Sequence, residues 1–157
     1  MNGQRSTAGD PARLDRALIA LRRFWTAPDA VPDGGASVEL STLLVLEAVL
    51  EGPATGNGEI GVGLVGERLD VRPSTASRLV DRAAAAGVLA KRPSTLDGRS
   101  LSLTLTPDGE GLARRARQFR AARLDALLGD WSTGDRDQLA TLLERLAAAV
   151  RSEQPHA

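Results

Sequence analysis

Cysteine and tyrosine are missing from this sequence of 157 residues, histidine and methionine occur once each, and the aromatics are only Phe24, Trp25, Phe119 and Trp131. Without cysteine there is no disulfide, no thiolate nucleophile and no thiol for redox sensing. A lone histidine, His156, leaves no Cys/His metal cluster. Most hydrolytic and metal chemistry goes with it, and neither a metal nor a cofactor is expected. So few aromatics cannot build the stacking platforms of single-stranded nucleic-acid binders. No apolar run approaches the roughly 18 residues of a membrane span, and the opening segment MNGQRSTAGD has no apolar signal core. A soluble, cytoplasmic protein is expected, and not an enzyme.

Net charge is missing as well, because 20 basic and 20 acidic residues cancel. The cancellation is uneven along the chain. Residues 1–35 hold five Arg and four Asp, residues 36–70 one Arg and six acids, residues 71–99 six basic and two acidic residues, and residues 100–157 eight of each. The one strongly positive segment, 71–99, thus follows a strongly negative one. Arginine supplies 19 of the 20 basic residues. Its planar guanidinium suits bidentate contacts with phosphate and guanine.

What is present is an ordered series of helix signals around one extended pair. With 42% hydrophobic and 25% charged residues, the length suits a single domain over residues 10–157 with one core. Residues 1–9 are small and polar and read as a loose arm. Asp10-Pro11 forms an N-cap and first turn, and Leu14, Leu18, Leu21 and Trp25 make a helical seam that Pro28 and Pro32-Asp33-Gly34-Gly35 end. Residues 37–51, with Leu40, Leu43, Leu44, Leu46 and Leu50, form a core helix stopped by Gly52-Pro53. The Gly-rich stretch 54–63 is a turn with at most a short extended piece near Ile60 and Val62.

A short helix over 64–69, a tight turn Asp70-Val71-Arg72 and a helix from Pro73 to the stop at Gly87 make a helix-turn-helix. Residues 88–92 are then extended, 93–98 a polar turn, and 100–105 alternate polar and apolar, which reads as a β-hairpin or wing. Thr106-Pro107-Asp108 caps a long helix that Gly129 ends. Ser132-Thr133-Gly134-Asp135 resembles a capping box and starts a last helix with Leu139, Leu142, Leu143, Leu146 and Val150 on one side. The fold class is mainly α with a small β-hairpin wing.

The run Val65-Gly66-Glu67-Arg68-Leu69-Asp70-Val71-Arg72-Pro73-Ser74-Thr75-Ala76-Ser77-Arg78-Leu79-Val80-Asp81-Arg82, followed by Gly87-Val88-Leu89, resembles the helix-turn-helix of MarR-type transcriptional regulators. Asp97-x-Arg99, five residues, then Leu105-Thr106 before an acidic helix start resembles that family's wing and the helix behind it. The flanking helices occur in the matching order, so the resemblance covers nearly the whole chain. It implies a winged lobe over 36–105 and dimerisation helices over 10–35 and 106–157. It further implies a homodimer gripping successive major grooves of duplex DNA at a palindromic operator, with repression relieved by a small organic ligand. Such ligands lodge between the dimerisation helices and the lobe, where Phe24, Trp25, Phe119 and Trp131 are candidate lining residues or plain core and interface residues. The chain departs from the pattern at Arg72, where a small capping residue is usual, at Ala83 and Ala86, and in the long Gly-rich loop over 53–61.

A helix over residues 73–86 is roughly 21 Å long and fits a major groove. Ala76, Leu79, Val80 and Ala83 share the face that packs on the core, which leaves Ser74, Thr75, Ser77 and Arg78 on or beside the other. Arg78 can take guanine O6/N7 or a phosphate. The three hydroxyls can bond phosphates or base edges, although Ser74 and Thr75 can instead serve the helix N-terminus. Arg82 extends this DNA-facing set, Arg72 substitutes a phosphate contact for a cap, and Lys91 and Arg92 are further phosphate contacts, Arg92 equally a plain surface residue. At the hairpin tip Arg99 can enter the narrow minor groove, with Asp97 orienting it or capping the turn.

Two alternatives come from other classes. Gly61-Val62-Gly63-Leu64-Val65-Gly66 matches the G-x-G-x-x-G dinucleotide fingerprint, with Asp81 about twenty residues on, as in an NAD-dependent enzyme. Its context is wrong, since a helix precedes it, Pro73 cuts the following helix short and no second parallel strand completes a βαβ unit. The other is a helical dimerisation or adaptor protein that does not bind DNA, against which the Arg-bearing wing argues.

Overall fold

The structure is a computed structural model that describes residues 10–26, 32–33, 36–37, 39–53, 58–97 and 100–153. Helix α1 (Pro11–Thr26) is followed by a two-residue antiparallel pair, β1 (Pro32–Asp33) with β2 (Ala36–Ser37), and by helices α2 (Leu40–Leu50), α3 (Val62–Leu69) and α4 (Pro73–Ala85). Strands β3 (Leu89–Pro93) and β4 (Leu101–Leu105) then pair antiparallel, with Leu89 opposite Leu105 and Pro93 opposite Leu101. Helices α5 (Pro107–Leu127) and α6 (Thr133–Glu153) complete the order. The β1–β2 pair is an addition to the sequence reading, which has only a helix stop there. Val62 also differs, being the first residue of α3 rather than an extended position.

The chain divides into two units, residues 1–116 and 117–157. In the first, α2 is apolar on nearly all sides, so it is central rather than amphipathic: Thr42, Leu43, Val45, Leu46, Ala48 and Val49 are buried. It packs against α3, α4 and β4. Val65, Ala76, Val80, Ala83, Val88, Leu89, Leu103, Leu112, Ala113 and Ala116 complete this core. Leu46 and Leu103 are almost wholly enclosed, and each such burial is worth about 2–3 kcal/mol. Arg68 on α3 closes the end of α2: its Nη1 donates to the Ala48 carbonyl at 2.5 Å and its Nε lies 3.3 Å from Glu51. A cation there also suits the negative end of the α2 dipole.

The tight turn between α3 and α4 rests on two local features. Asp70 adopts the left-handed conformation at φ 51, where its amide donates to Glu67 and the Val71 amide to Gly66. Gly66 lets the helices close, for a Cβ there would stand 3.3 Å from Ala76 Cβ and 3.4 Å from the Val71 carbonyl. Aspartate tolerates the left-handed region better than most residues, whereas a β-branched side chain does not. Asp70→Val is therefore expected to cost about 1–2 kcal/mol in urea unfolding, and Asp70→Asn close to nothing. Equal stability of all three proteins would mean that the turn does not need this conformation.

In the second unit the α5–α6 turn is tied by Arg136, whose Nη2 donates to the Leu128 carbonyl at 2.6 Å and whose Nη1 lies 3.6 Å from Asp125. Ser132 Oγ accepts from the Asp135 amide at 3.1 Å and donates to the Asp135 carboxylate at 2.6 Å, a variant of the expected capping box. None of the residues of α6 is buried, and Leu142, Leu143, Leu146 and Val150 stand exposed along it.

Candidate nucleic-acid interface

Helix α4 sorts its residues by spacing. Ala76, Val80 and Ala83 are buried and Leu79 half-buried, while Ser74, Thr75, Ser77, Arg78, Asp81 and Arg82 are exposed. Pro73 is the first residue of the helix, where its missing N–H costs nothing. Arg72 stands at the N-cap and makes no side-chain cap, so only its carbonyl serves the first turn, accepting from Thr75 at 2.8 Å and Ala76 at 3.0 Å. A helix N-terminus flanked by a guanidinium favours an anionic neighbour. Ser77 Oγ donates to the Pro73 carbonyl at 3.0 Å and keeps its acceptor capacity.

The cations of this face are not equally available. Arg82 Nη1 is bonded to Glu39 Oε2 at 2.5 Å, and Lys91 on β3 is paired with Asp81. Hydrogen bonds from Arg82 and then Ser41, with the Arg82 charge, hold the Glu39 carboxyl below the usual carboxylate range. Arg72, Arg78 and Arg92 form no ion pair with any described residue. Exposed ion pairs contribute at most about 1 kcal/mol. Glu39 thus holds the exposed Arg82 only loosely, while Asp81 holds Lys91, whose side chain is half-buried.

Behind α4, the wing base is fastened to the start of α5. Thr106 Oγ1 donates to the Gly87 carbonyl at 2.7 Å and accepts from the Gly109 amide at 3.1 Å, so one hydroxyl joins the end of α4 to the first turn of α5. Asp97 caps the wing turn: its carboxylate accepts from Ser100 Oγ at 2.6 Å, its carbonyl from the Ser100 amide at 2.9 Å, and its amide donates to Ser94 Oγ at 3.0 Å. On the other side of the hairpin, Leu103 N donates to the Ile60 carbonyl at 2.8 Å, which makes the expected extended piece near Ile60 a third rail beside β4. Glu59 Oε1 accepts from the Thr95 amide at 2.9 Å and from Thr95 Oγ1 at 2.6 Å. Hydrogen bonds from Ser94 and Thr95 hold the Glu59 carboxyl below its usual range, so it is ionised at neutral pH.

Of the residues singled out from sequence, Arg72, Ser74, Thr75, Ser77, Arg78 and Arg82 therefore share α4 and its cap, Lys91 joins them through Asp81, Arg92 lies beside it on β3, and Asp97 sits in the wing turn. Arg99 lies outside the described residues. So does the side chain of Trp25, on α1; Phe24 on the same helix and Phe119 on α5 are half-buried, and Trp131 is exposed. The sequence reading missed Glu39 and Glu59, and it gave Asp81 a role only in the dinucleotide alternative. Glu39 and Arg82 lie 43 positions apart and Glu59 and Thr95 lie 36 apart, and no periodicity links them.

The dinucleotide alternative is corrected by the same geometry. Gly61 caps α3 while Gly63 and Gly66 lie within it, and the described strands form only antiparallel pairs. Gly66 meets Ala76 of α4 rather than making room for a pyrophosphate. Among the described residues, no group of three or more His, Cys, Asp or Glu could hold a metal, and no helix is long and apolar enough to cross a membrane.

No protein-family model and no curated protein matches the sequence. Solved structures do. The PcaV transcriptional regulator of Streptomyces coelicolor, solved with its natural ligand, is 26% identical over 91% of this chain and 95% of its own, with a TM-score of 0.61. A MarR family protein from Bacillus stearothermophilus is 18% identical over 89% of this chain and 94% of its own, with a TM-score of 0.72. The chain has the MarR-family fold. FabT of Streptococcus pneumoniae, solved in complex with DNA, shares this MarR-type fold at 15% identity, covering 92% of this chain and 100% of its own with a TM-score of 0.73. In MarR-type order, α3 and α4 are the helix-turn-helix and β3–β4 the wing, as the sequence pattern implies.

Proposed function

We propose that this MarR-type chain is a sequence-specific, double-stranded DNA-binding transcriptional regulator, a homodimeric repressor released by a small organic ligand. The observation that carries the reading is the exposed face of α4. There the hydroxyls of Ser74, Thr75 and Ser77 stand beside the open guanidinium of Arg78, behind an N-cap occupied by Arg72. Hydroxyls and guanidinium are the groups that read base edges and grip phosphates in a major groove. Arg82, Lys91 and Arg92 add phosphate contacts, and Arg99 remains the candidate minor-groove contact of the wing. The DNA complex of FabT supports the partner, and the ligand complex of PcaV supports an effector.

Dimerisation is supported by apolar surface that each unit leaves exposed. Leu14, Leu18, Ile19 and Leu21 are at least half exposed on α1, and α6 buries none of its residues. Rows of this kind mark protein interfaces rather than ordinary surface. Phe24, Trp25, Phe119 and Trp131 remain the candidate effector-lining residues.

Selection of bound duplexes from sheared host DNA tests the reading. A two-fold dimer is expected to enrich palindromes with half-site centres about 34 Å apart, one helical turn. Recovery of single asymmetric half-sites would overturn the dimer, and no enrichment of any duplex would overturn the regulator.

A further inference from the structure

The Gly-rich loop before α3 has no part in the recognition face described so far, yet its last residues touch the wing twice. Midway along β4 the Ile60 carbonyl takes the Leu103 amide, and at the turn the Glu59 carboxylate takes both donors of Thr95. Thr95 lies two residues past the end of β3, where the ladder with β4 has given way to the turn; the last backbone bond across the hairpin there runs from the Ser94 amide to the Ser100 carbonyl. Isolated two-stranded hairpins are marginal in water. A bond from outside the hairpin to its turn therefore restrains it.

We propose that Glu59 is a positioning residue of the wing, its carboxylate fixing through Thr95 the direction in which the hairpin is presented to the minor groove. The local chemistry favours a strong anchor. Both bonds converge on one oxygen of an ionised group, and charge-assisted hydrogen bonds are roughly twice as strong as neutral ones. Oε2 is shielded from solvent, and Ser94, the neighbour of Thr95, accepts the Leu96 and Asp97 amides at its hydroxyl oxygen. Thr95, held by Glu59, thereby follows directly on the serine whose hydroxyl organises the turn that Asp97 caps. An acidic residue beside a DNA-binding element is otherwise a handicap, because it repels phosphate. Here it acts as an acceptor for Thr95.

The effect on DNA rests on the proposed function; the anchor itself does not, and the test separates them. Amide exchange is read at Thr95 and, as a folding control, at Val80 and Ala83. Affinity is read on the duplex enriched from host DNA. Glu59→Ala is expected to speed Thr95 exchange tenfold or more with the α4 amides unchanged, to weaken DNA binding about three- to tenfold, and to flatten the salt slope through loss of a wing contact. Glu59→Gln keeps an acceptor oxygen and is expected to restore both readouts to near the parent values. Unchanged Thr95 exchange in Glu59→Ala overturns the anchor. Tighter DNA binding by both variants overturns it as well, since charge repulsion alone would then be the role of Glu59. Faster exchange with unaltered DNA affinity overturns the positioning of the wing. Failure of the parent protein to bind any duplex would overturn the proposed function and the DNA half of this inference, leaving exchange to decide the anchor.

Discussion

Replacing Gly109 with alanine is expected to destabilise the first unit by about 3 kcal/mol, the upper end of the range for overpacking. A Cβ at this position would overlap the Val88 carbonyl oxygen and crowd the Val88 carbonyl carbon at 2.9 Å. The obstacle is backbone, which cannot rotate aside as a side chain would. Gly109 lies in the first turn of α5, bonded to Thr106, and Val88 is the residue before β3, so relief means prising the helix from the wing base. With a urea slope of about 1–3 kcal/mol per molar, the midpoint should fall by one molar or more. Gly63→Ala is the matched control. Nothing lies within 4 Å of its Cβ position in α3, so alanine should be neutral or stabilising by up to about 1 kcal/mol. An unaltered midpoint for Gly109→Ala would show that α5 does not need this approach.

Arg78→Ala should have the largest effect on DNA binding, about 10- to 100-fold, the range of one good bidentate base contact. The argument is one of availability. Arg78 stands exposed on α4 without an ion pair among the described residues, whereas Arg82 on the next turn is held by Glu39. Arg82→Ala should therefore cost less, because part of what Arg82 gains from a phosphate replaces what it had from a carboxylate. Arg78→Lys separates the two kinds of contact, since lysine keeps the charge but lacks the planar fork. If Arg78 reads a guanine, lysine leaves the salt slope in place and relaxes the preference at one base pair of each half-site. A uniform loss across all operator variants in Arg78→Ala, with the slope reduced by about one and Arg78→Lys close to the parent, would assign Arg78 to a phosphate instead. No loss at all would remove it from the interface.

Much of this architecture was legible in advance because it is written in short-range signals. Pro73 at a helix start, Gly87 at its stop and the alternation ending at Leu105 each report a local backbone preference, and α4 and the hairpin formed within about a residue of the expected bounds. The capping roles of Asp10, Thr106 and Ser132 were legible for the same reason, each bonding an amide two or three residues away. Arg72 at an N-cap it cannot cap was legible too, being a question of side-chain chemistry alone. The Gly61, Gly63 and Gly66 pattern is ambiguous by itself because the same glycines suit two uses, and its context already argued against a dinucleotide site. The approach of Ala76 to Gly66 shows close helix packing as the use realised here.

The sequence by itself determined the order of elements, the absence of thiol chemistry and the concentration of positive charge between residues 71 and 99. Each of these depends on residue type and near neighbours, which the chain states directly. Only the tertiary structure decided which of those charges stand open. Pairing of Arg82 with Glu39, of Lys91 with Asp81 and of the wing turn with Glu59 arises when α2, α4, β3 and the loop before α3 are brought together by a shared core. A net charge is a sum over the chain, whereas an available charge is a matter of a few ångströms, and folding sets those distances.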